Sequence, residues 1–255
     1  MRTLVVNNQK GGVGKTLLAV HAAWWLAEQG ARVLAVDLDP QGNASYTLAG
    51  ATPGGTSFGL FSPEPWSPPR GREGLTLLAA DRALDGVDAR LTEAVTAFRT
   101  RWAEIRTEFD YAVIDTPPTW SGRNFAALMA ATTLVAPIDL ETYALQGVRQ
   151  LLAQKATVEK NGRGGRPIDF LGLLPSRFQS TSPRQRANLE SLIRQDGGGL
   201  LVPGHAVITQ RQGYAEALDI RQPVWTIRKT AAQAAGHEMR SVLAVVRARL
   251  DSMAG

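Results

Sequence analysis

Cysteine is absent from all 255 residues, which excludes disulfides, thiolate zinc sites and cysteine-ligated iron–sulfur clusters. No apolar stretch is long enough to span a bilayer. Met1 to Val6 is a short apolar run that leads straight into a glycine-rich motif, so no signal peptide is expected. A reducing, cytoplasmic setting fits these absences. Acidic charge is scarce in one region. Residues 161–255 hold 13 Lys/Arg against 7 Asp/Glu, whereas residues 1–160 hold 15 against 16. The net charge of +5 therefore arises wholly in the last third. That asymmetry fits a surface facing a polyanion, or an ordinary basic surface.

Short β-branched runs alternate with longer helical stretches. Thr3 to Val6, Arg32 to Asp37, Leu75 to Ala79, Tyr111 to Asp115, Thr133 to Ile138 and Phe170 to Leu174 read as strands. Helices are predicted over Thr16 to Gln29, with Gly30 as the stop, and over Asp88 to Glu108, Thr142 to Lys160, Pro183 to Gln195 and about Thr230 to Met253. This alternation predicts an α/β fold: one domain over 1–255, with a mostly parallel twisted sheet covered by helices on both faces. Gly50 to Gly74 is rich in Gly and Pro and predicts a long surface excursion. Asn161 to Pro167 predicts a second loop.

After the first strand comes Gln9-Lys10-Gly11-Gly12-Val13-Gly14-Lys15-Thr16-Leu17, followed by a helix. The general phosphate-loop pattern is G-x-x-x-x-G-K-[ST]. Only its first position fails, where Gln9 stands for glycine. Glycines let the backbone wrap a phosphate chain and aim N–H groups at it. The helix adds its positive N-terminal end. Lys15 would reach the β and γ phosphates, and the Thr16 hydroxyl would ligate Mg²⁺, a hard cation that wants oxygen. Gly11 to Leu17 is thus the candidate ATP cradle.

The run K-G-G-x-G-K-T resembles the deviant Walker A box of the ParA/MinD ATPases. That resemblance implies a second catalytic lysine, Lys10, which crosses a nucleotide-sandwich homodimer to the partner's ATP. Asp37-Leu38-Asp39-Pro40-Gln41-Gly42-Asn43 resembles the family's D-x-D-P-Q-G-N segment, which implies that Asp39 helps organise the attacking water and Mg²⁺. Tyr111 to Pro118 resembles a Walker B strand, whose aspartate, here Asp115, holds a Mg²⁺-bound water. Ala136 to Gly147 is similar to a further family stretch. Leu17 departs from the usual K-T-T, which implies altered packing. Ser176 or Arg177 stands where relatives place a residue that contacts adenine. The resemblance covers most of residues 3–150 and thins afterwards.

What the resemblance implies is an ATPase switch: an ATP-dependent dimer holds non-specific DNA and is released by partner-stimulated hydrolysis, segregating a plasmid or chromosome through a ParB-like adaptor. A protein cargo, such as a carboxysome or chemoreceptor cluster, is the alternative. The expected location is cytoplasmic, on the nucleoid. Candidate DNA contacts are Arg177, Arg184, Arg186, Arg211, Arg221, Arg228, Lys229 and Arg240; by approximate alignment Arg211, Arg228 and Lys229 fall in the family's DNA-gripping regions. Such contacts read charge and depend on salt. A MinD-like membrane ATPase is a further alternative. The last helix, however, carries Met239, Val242, Leu243, Val246 and Leu250 at core-packing spacing, and Asp251 interrupts the tail, so no membrane partner is expected. An iron–sulfur relative would need interface cysteines, which are missing.

Overall fold

The innermost strands have no polar face to turn toward water, so the sequence requires cover on both sides. A computed structural model shows that cover and describes residues 1–141, 144–195 and 200–252. In chain order the elements are β1 (Arg2–Val6), α1 (Lys15–Glu28), β2 (Arg32–Asp37), α2 (Asn43–Thr47), β3 (Thr52–Thr56), β4 (Gly74–Ala79), α3 (Leu91–Ile105), β5 (Tyr111–Asp115), α4 (Gly122–Ala130), β6 (Thr133–Ile138), α5 (Ala144–Gly162), β7 (Asp169–Pro175), α6 (Pro183–Gln195), α7 (Gln212–Asp219) and α8 (Thr230–Ser252). The strands form one sheet in the order β3-β4-β2-β5-β1-β6-β7, and every pairing is parallel. Helices α1, α7 and α8 cover one face, with Leu18, Tyr214 and Met239 in its core. Helices α3, α4, α5 and α6 cover the other, with Phe98, Leu128, Val158 and Leu192. In the sheet β1 lies between β5 and β6; from β1 the chain runs through α1 to β2 on the β5 side, and from β5 it crosses through α4 to β6 on the other side. The crevice at that switch, beyond the carboxyl ends of the strands, is where such sheets bind ligands.

The predicted strands agree with the structure to within a residue. Gly30, with φ +78°, ends the first helix as expected. Two expectations are corrected. The excursion over Gly50 to Gly74 contains the edge strand β3, which pairs with β4 from Thr52↔Thr76. Pro53 is tolerated because an edge strand has one unpaired side. A Cβ on Gly54 would lie 2.9 Å from Thr76 Cγ2 and 3.0 Å from the Leu77 carbonyl, so close backbone approach selects this glycine-rich strand over β propensity. The helix predicted over Asp88 to Glu108 divides. A 3₁₀ stretch, Arg82–Arg90, precedes α3, and the Asp81 carboxylate caps it by accepting from the Ala83 N–H at 2.8 Å. Helices α2, α4 and α7 were not expected. Thr142, Tyr143 and Met253, which the sequence reading placed in helices, lie outside the described residues.

One buried polar contact ties α1 to the C-terminal third. His21 is fully buried. Its Nδ1 lies 2.8 Å from the Leu17 carbonyl, and its Nε2 accepts from the Val224 N–H at 3.2 Å. Trp24, Tyr214 and Trp225 meet the ring edge-on. These partners fix a neutral tautomer with the proton on Nδ1. Burial holds its pKa down at about 4, with the Leu17 carbonyl opposing. Below the unfolded value the unfolded chain takes a proton that the folded one refuses. Stability from this residue is therefore full above pH 6.5 and is lost as pH falls toward 4. Urea unfolding at several pH values should show an extra slope of up to about 1.4 kcal/mol per pH unit in that window. His21→Gln should abolish that extra slope while lowering stability at pH 7.5; an unchanged acid profile in His21→Gln would contradict the assignment.

Candidate functional site

The loop between β1 and α1 is shaped by positive-φ glycines. Gly12 (φ +72°) and Gly14 (φ +88°) are left-handed, and Gly14 is the residue that opens α1. A Cβ on Gly14 would sit 2.6 Å from the Ser176 hydroxyl at the end of β7, so this position needs both glycine's backbone freedom and its lack of a side chain. Asn8 pins the start of the loop. Its Nδ2 donates to the Pro137 carbonyl at 2.6 Å, and its Oδ1 accepts from the Lys10 N–H at 3.0 Å. Lys15, only 7% exposed, folds back along the loop and donates from Nζ to the Lys10 carbonyl at 3.0 Å. Burial lowers its pKa, with Asp115 and Asp39 opposing. The loop and the start of α1 line an open cleft of about 1360 Å³, together with Asp39, Tyr46, Arg177 and the start of α7. A cleft of this kind, at a helix N-terminus with a buried lysine, has the chemistry to hold a polyphosphate.

Two carboxylates end adjacent strands at the floor of the cleft. Asp37 and Asp115 are register partners across β2 and β5. Asp37 is fully buried and saturated: it accepts from the Ser45 N–H and hydroxyl at 2.8 and 2.7 Å and from the Asp39 N–H at 3.0 Å. Burial pushes its pKa up. It therefore acts as a brace for the turn that carries Asp39, whose own carboxylate accepts from the Gln41 N–H at 3.1 Å. Asp115 is 2% exposed. Its Oδ2 accepts from the Thr16 hydroxyl at 2.7 Å, while its buried Oδ1 has no partner among the described residues. Burial first, then the charge on Asp37, push Asp115 up to about 8. Thr16 and Asp115 thus present hard oxygens where negative charge is under-compensated. Magnesium binds through one or two carboxylates plus phosphate oxygens and waters, so this donor set fits Mg²⁺ held together with a nucleotide.

The structure gathers Gly11, Gly12, Gly14, Lys15, Thr16, Leu17 and Asp39 around one cleft. Val13 is buried behind it. Lys10 is on the rim, its side chain 53% exposed, and its Nζ is 2.5 Å from Asp139 Oδ2, just past β6. Sequence reading missed Asp139 because nothing in the stretch APIDLE marks which carboxylate a lysine over a hundred residues earlier will meet. Arg177 joins the phosphate loop: with φ +55° it donates from Nη1 to the Gly12 carbonyl at 2.9 Å. The remaining basic candidates do not form one free patch. Arg211 lies 3.7 Å from Glu238, Lys229 2.6 Å from Glu216, and Arg184 3.7 Å from Glu141. Arg221 covers the Tyr46 ring at 3.9 Å, and Arg240 lies over Trp225 at 5.4 Å. Arg228 and Arg186 are exposed, with no side-chain ion pair among the described residues.

The family profile for the CobQ/CobB/MinD/ParA nucleotide binding domain matches residues 4–224. Protein IncC of Escherichia coli is 37% identical over 98% of this chain and 70% of its own length. The chromosome-partitioning ATPase Soj of Thermus thermophilus is 40% identical over 70% of each chain. Among solved structures, cobyrinic acid a,c-diamide synthase of Mycobacterium smegmatis, with bound ADP and magnesium, superposes with a TM-score of 0.69 at 30% identity, over 91% of this chain and 98% of its own.

Gly14→Ala tests the loop geometry. Forcing an alanine into the left-handed region costs about 1–2 kcal/mol, and the Ser176 contact adds a steric term. Urea unfolding should show a loss of about 2–4 kcal/mol. Adding Ser176→Gly should recover the steric part only.

Proposed function

Because the chain belongs to the CobQ/CobB/MinD/ParA nucleotide-binding family, we propose that it is an ATP-hydrolysing partition switch. In this reading its ATP-dependent sandwich dimer holds non-specific DNA and is released by hydrolysis that a ParB-like adaptor stimulates. The cargo is a plasmid or chromosome. The observation that carries the reading is the pair of lysines on one glycine loop. Lys15 is buried against its own loop, and Lys10 stands half exposed at the rim, where it can serve a second subunit. The homology to a chromosome-partitioning ATPase supports it.

Each residue then has a task. Backbone N–H groups from Gly11 to Leu17 and the Lys15 ammonium bind the phosphates. The Thr16 hydroxyl and Asp115 hold the cation, and Asp39, kept in place by the Asp37–Ser45 brace, orients the attacking water. Magnesium, when bound, neutralises phosphate charge and makes the terminal phosphorus easier to attack. Lys10 leaves Asp139 and reaches the partner's nucleotide, so one intramolecular ion pair is exchanged for one across the interface. Asp139 competes with the dimer for the lysine. Arg228 and Lys229, with Arg211, meet DNA phosphates; Lys229 and Arg211 must first part from Glu216 and Glu238. No described helix is long and apolar enough to cross a membrane.

Two sets of variants test this reading. Lys10→Ala should bind ATP within a few-fold of the unaltered chain but fail to form the ATP-dependent dimer in sedimentation. Asp139→Asn should dimerise at lower ATP concentration. Dimers from Lys10→Ala would refute the cross-subunit role. Arg228→Ala with Lys229→Ala should weaken binding of random-sequence DNA and flatten its salt dependence by about 0.9 per phosphate contact removed, with ATP-dependent dimerisation intact. An unchanged salt slope would move the DNA surface elsewhere.

A further inference from the structure

A second recess lies at the end of the sheet opposite the nucleotide cleft. It has a volume of about 510 Å³ and is open along its length. The C-terminal ends of α3, α4 and α5 converge there, beside the residues that lead into the N-terminal ends of β6 and β7. The floor is apolar. Trp102, half-buried, stacks on Phe98 with 5.4 Å between ring centres and 10° between planes, and Met129 closes the base. The rim is cationic, with Arg99, Arg106, Arg163 and Arg166 and no Asp or Glu among the described lining residues.

The four arginines are not equivalent. Arg163 has a structural task. Its guanidinium donates to the carbonyls of Met129, Ala131, Arg166 and Pro167 at 2.6–3.1 Å, capping the end of α4 and fixing the floor. Arg99 makes only long contacts, 3.4 Å to the Gly162 carbonyl and 3.6 Å to Met129 Sδ. Arg166 donates to the Arg163 carbonyl at 3.2 Å. Among the described residues, neither these two nor Arg106 has a carboxylate within ion-pair distance, and all three are exposed. Elsewhere Arg2, Arg32, Arg70, Arg194, Arg247 and Arg249 meet acids, while Arg72, Arg82, Arg90, Arg186 and Arg228 are exposed with no ion pair among the described residues; the three here differ in lying around one apolar floor. Three uncompensated guanidiniums around one apolar floor raise the local potential and attract anions. Arginine and tryptophan are also the side chains that dominate protein–protein binding energy.

We propose that this recess is a docking site for an acidic linear segment of a partner protein, with its carboxylates on Arg99, Arg106 and Arg166 and an apolar side chain on Trp102 and Met129. Bidentate guanidinium–carboxylate pairing supplies direction as well as attraction. A peptide suits the shape better than a nucleic acid does, because the cations rim an indentation with an apolar bottom, and a duplex would meet that rim without filling it. The site is separate from the nucleotide cleft, and this assignment does not depend on the partition reading.

The test uses the full chain and a fluorescein-labelled peptide of sequence Glu-Glu-Phe-Glu-Leu-Glu-Glu. The controls are the same peptide with Gln for every Glu, and a random-sequence DNA duplex. In fluorescence anisotropy at low salt the acidic peptide should bind at least about tenfold more tightly than the Gln peptide. Arg106→Glu with Arg166→Glu should weaken it by at least about tenfold and leave the duplex within about twofold. In the unaltered chain, the Trp102 indole resonance, assigned through Trp102→Phe, should shift as acidic peptide is added. Equal binding of the two peptides, or a Trp102 resonance that does not move, overturns the proposal. So does a doubly substituted chain that loses DNA rather than peptide, which would make the recess a nucleic-acid surface. ATP binding by the doubly substituted chain reports its folding; should it fail to fold, the Trp102 titration on the unaltered chain decides.

Discussion

Two aspartates at the ends of neighbouring parallel strands, Asp37 and Asp115, are held out of water side by side, and the organisation of the nucleotide cleft follows from that charge. Burying one carboxylate is costly, and burying two together is worse unless each is compensated. The chain treats them differently. Asp37 is saturated by Ser45 and the Asp39 N–H, so it shapes a turn. Asp115 has one oxygen on Thr16 and the other without a partner among the described residues, so it stays short of positive charge. Lys15 lies nearby but donates to its own loop. Thr16 and Asp115 together offer oxygen donors of the kind that bind a hard cation held with phosphate oxygens, as in a magnesium nucleotide.

The same helix that presents Thr16 and Lys15 reaches across the molecule through His21. Through that contact α1 is packed against Val224 and Trp225, which precede Arg228 and α8 in the chain. The Leu17 departure fits here: Leu17 packs in the α1–α7–α8 core, so the residue after Thr16 anchors the helix. Arg177 makes a second link, from the end of β7 to the crest of the phosphate loop. The phosphate loop and α1 are thus joined to the C-terminal third through Arg177, His21 and the Trp225–Glu28 hydrogen bonds.

Charge composition turned out to be a coarse guide. The C-terminal third has the cationic excess, yet Arg211 and Lys229 are each matched by a glutamate brought near by folding. Arg163 and Arg166, counted in the same excess, lie at the far end of the sheet. Exposed ion pairs are worth little, so the glutamates do not forbid a phosphate contact. They do mean that a polyanion must compete for those cations.

The sequence by itself determined six of the seven strands, the phosphate loop and the candidates Lys10, Lys15, Thr16, Asp39 and Asp115. Those strands, Lys15 and Thr16 are legible from local chemistry: a period of buried residues, glycines where φ must be positive, a lysine and a threonine at a helix start; Lys10, Asp39 and Asp115 are marked by the family resemblance of the segments that carry them. Tertiary structure alone decided what those groups face. β3 exists because Gly54 can lie against β4, not because TPGGT favours a strand. Asp139 holds Lys10, Glu238 holds Arg211, and Ser176 closes on Gly14, across separations of 27 to 162 residues. Pairings of that kind depend on strand order, and strand order is set by how two apolar layers close over one sheet, which no local pattern encodes.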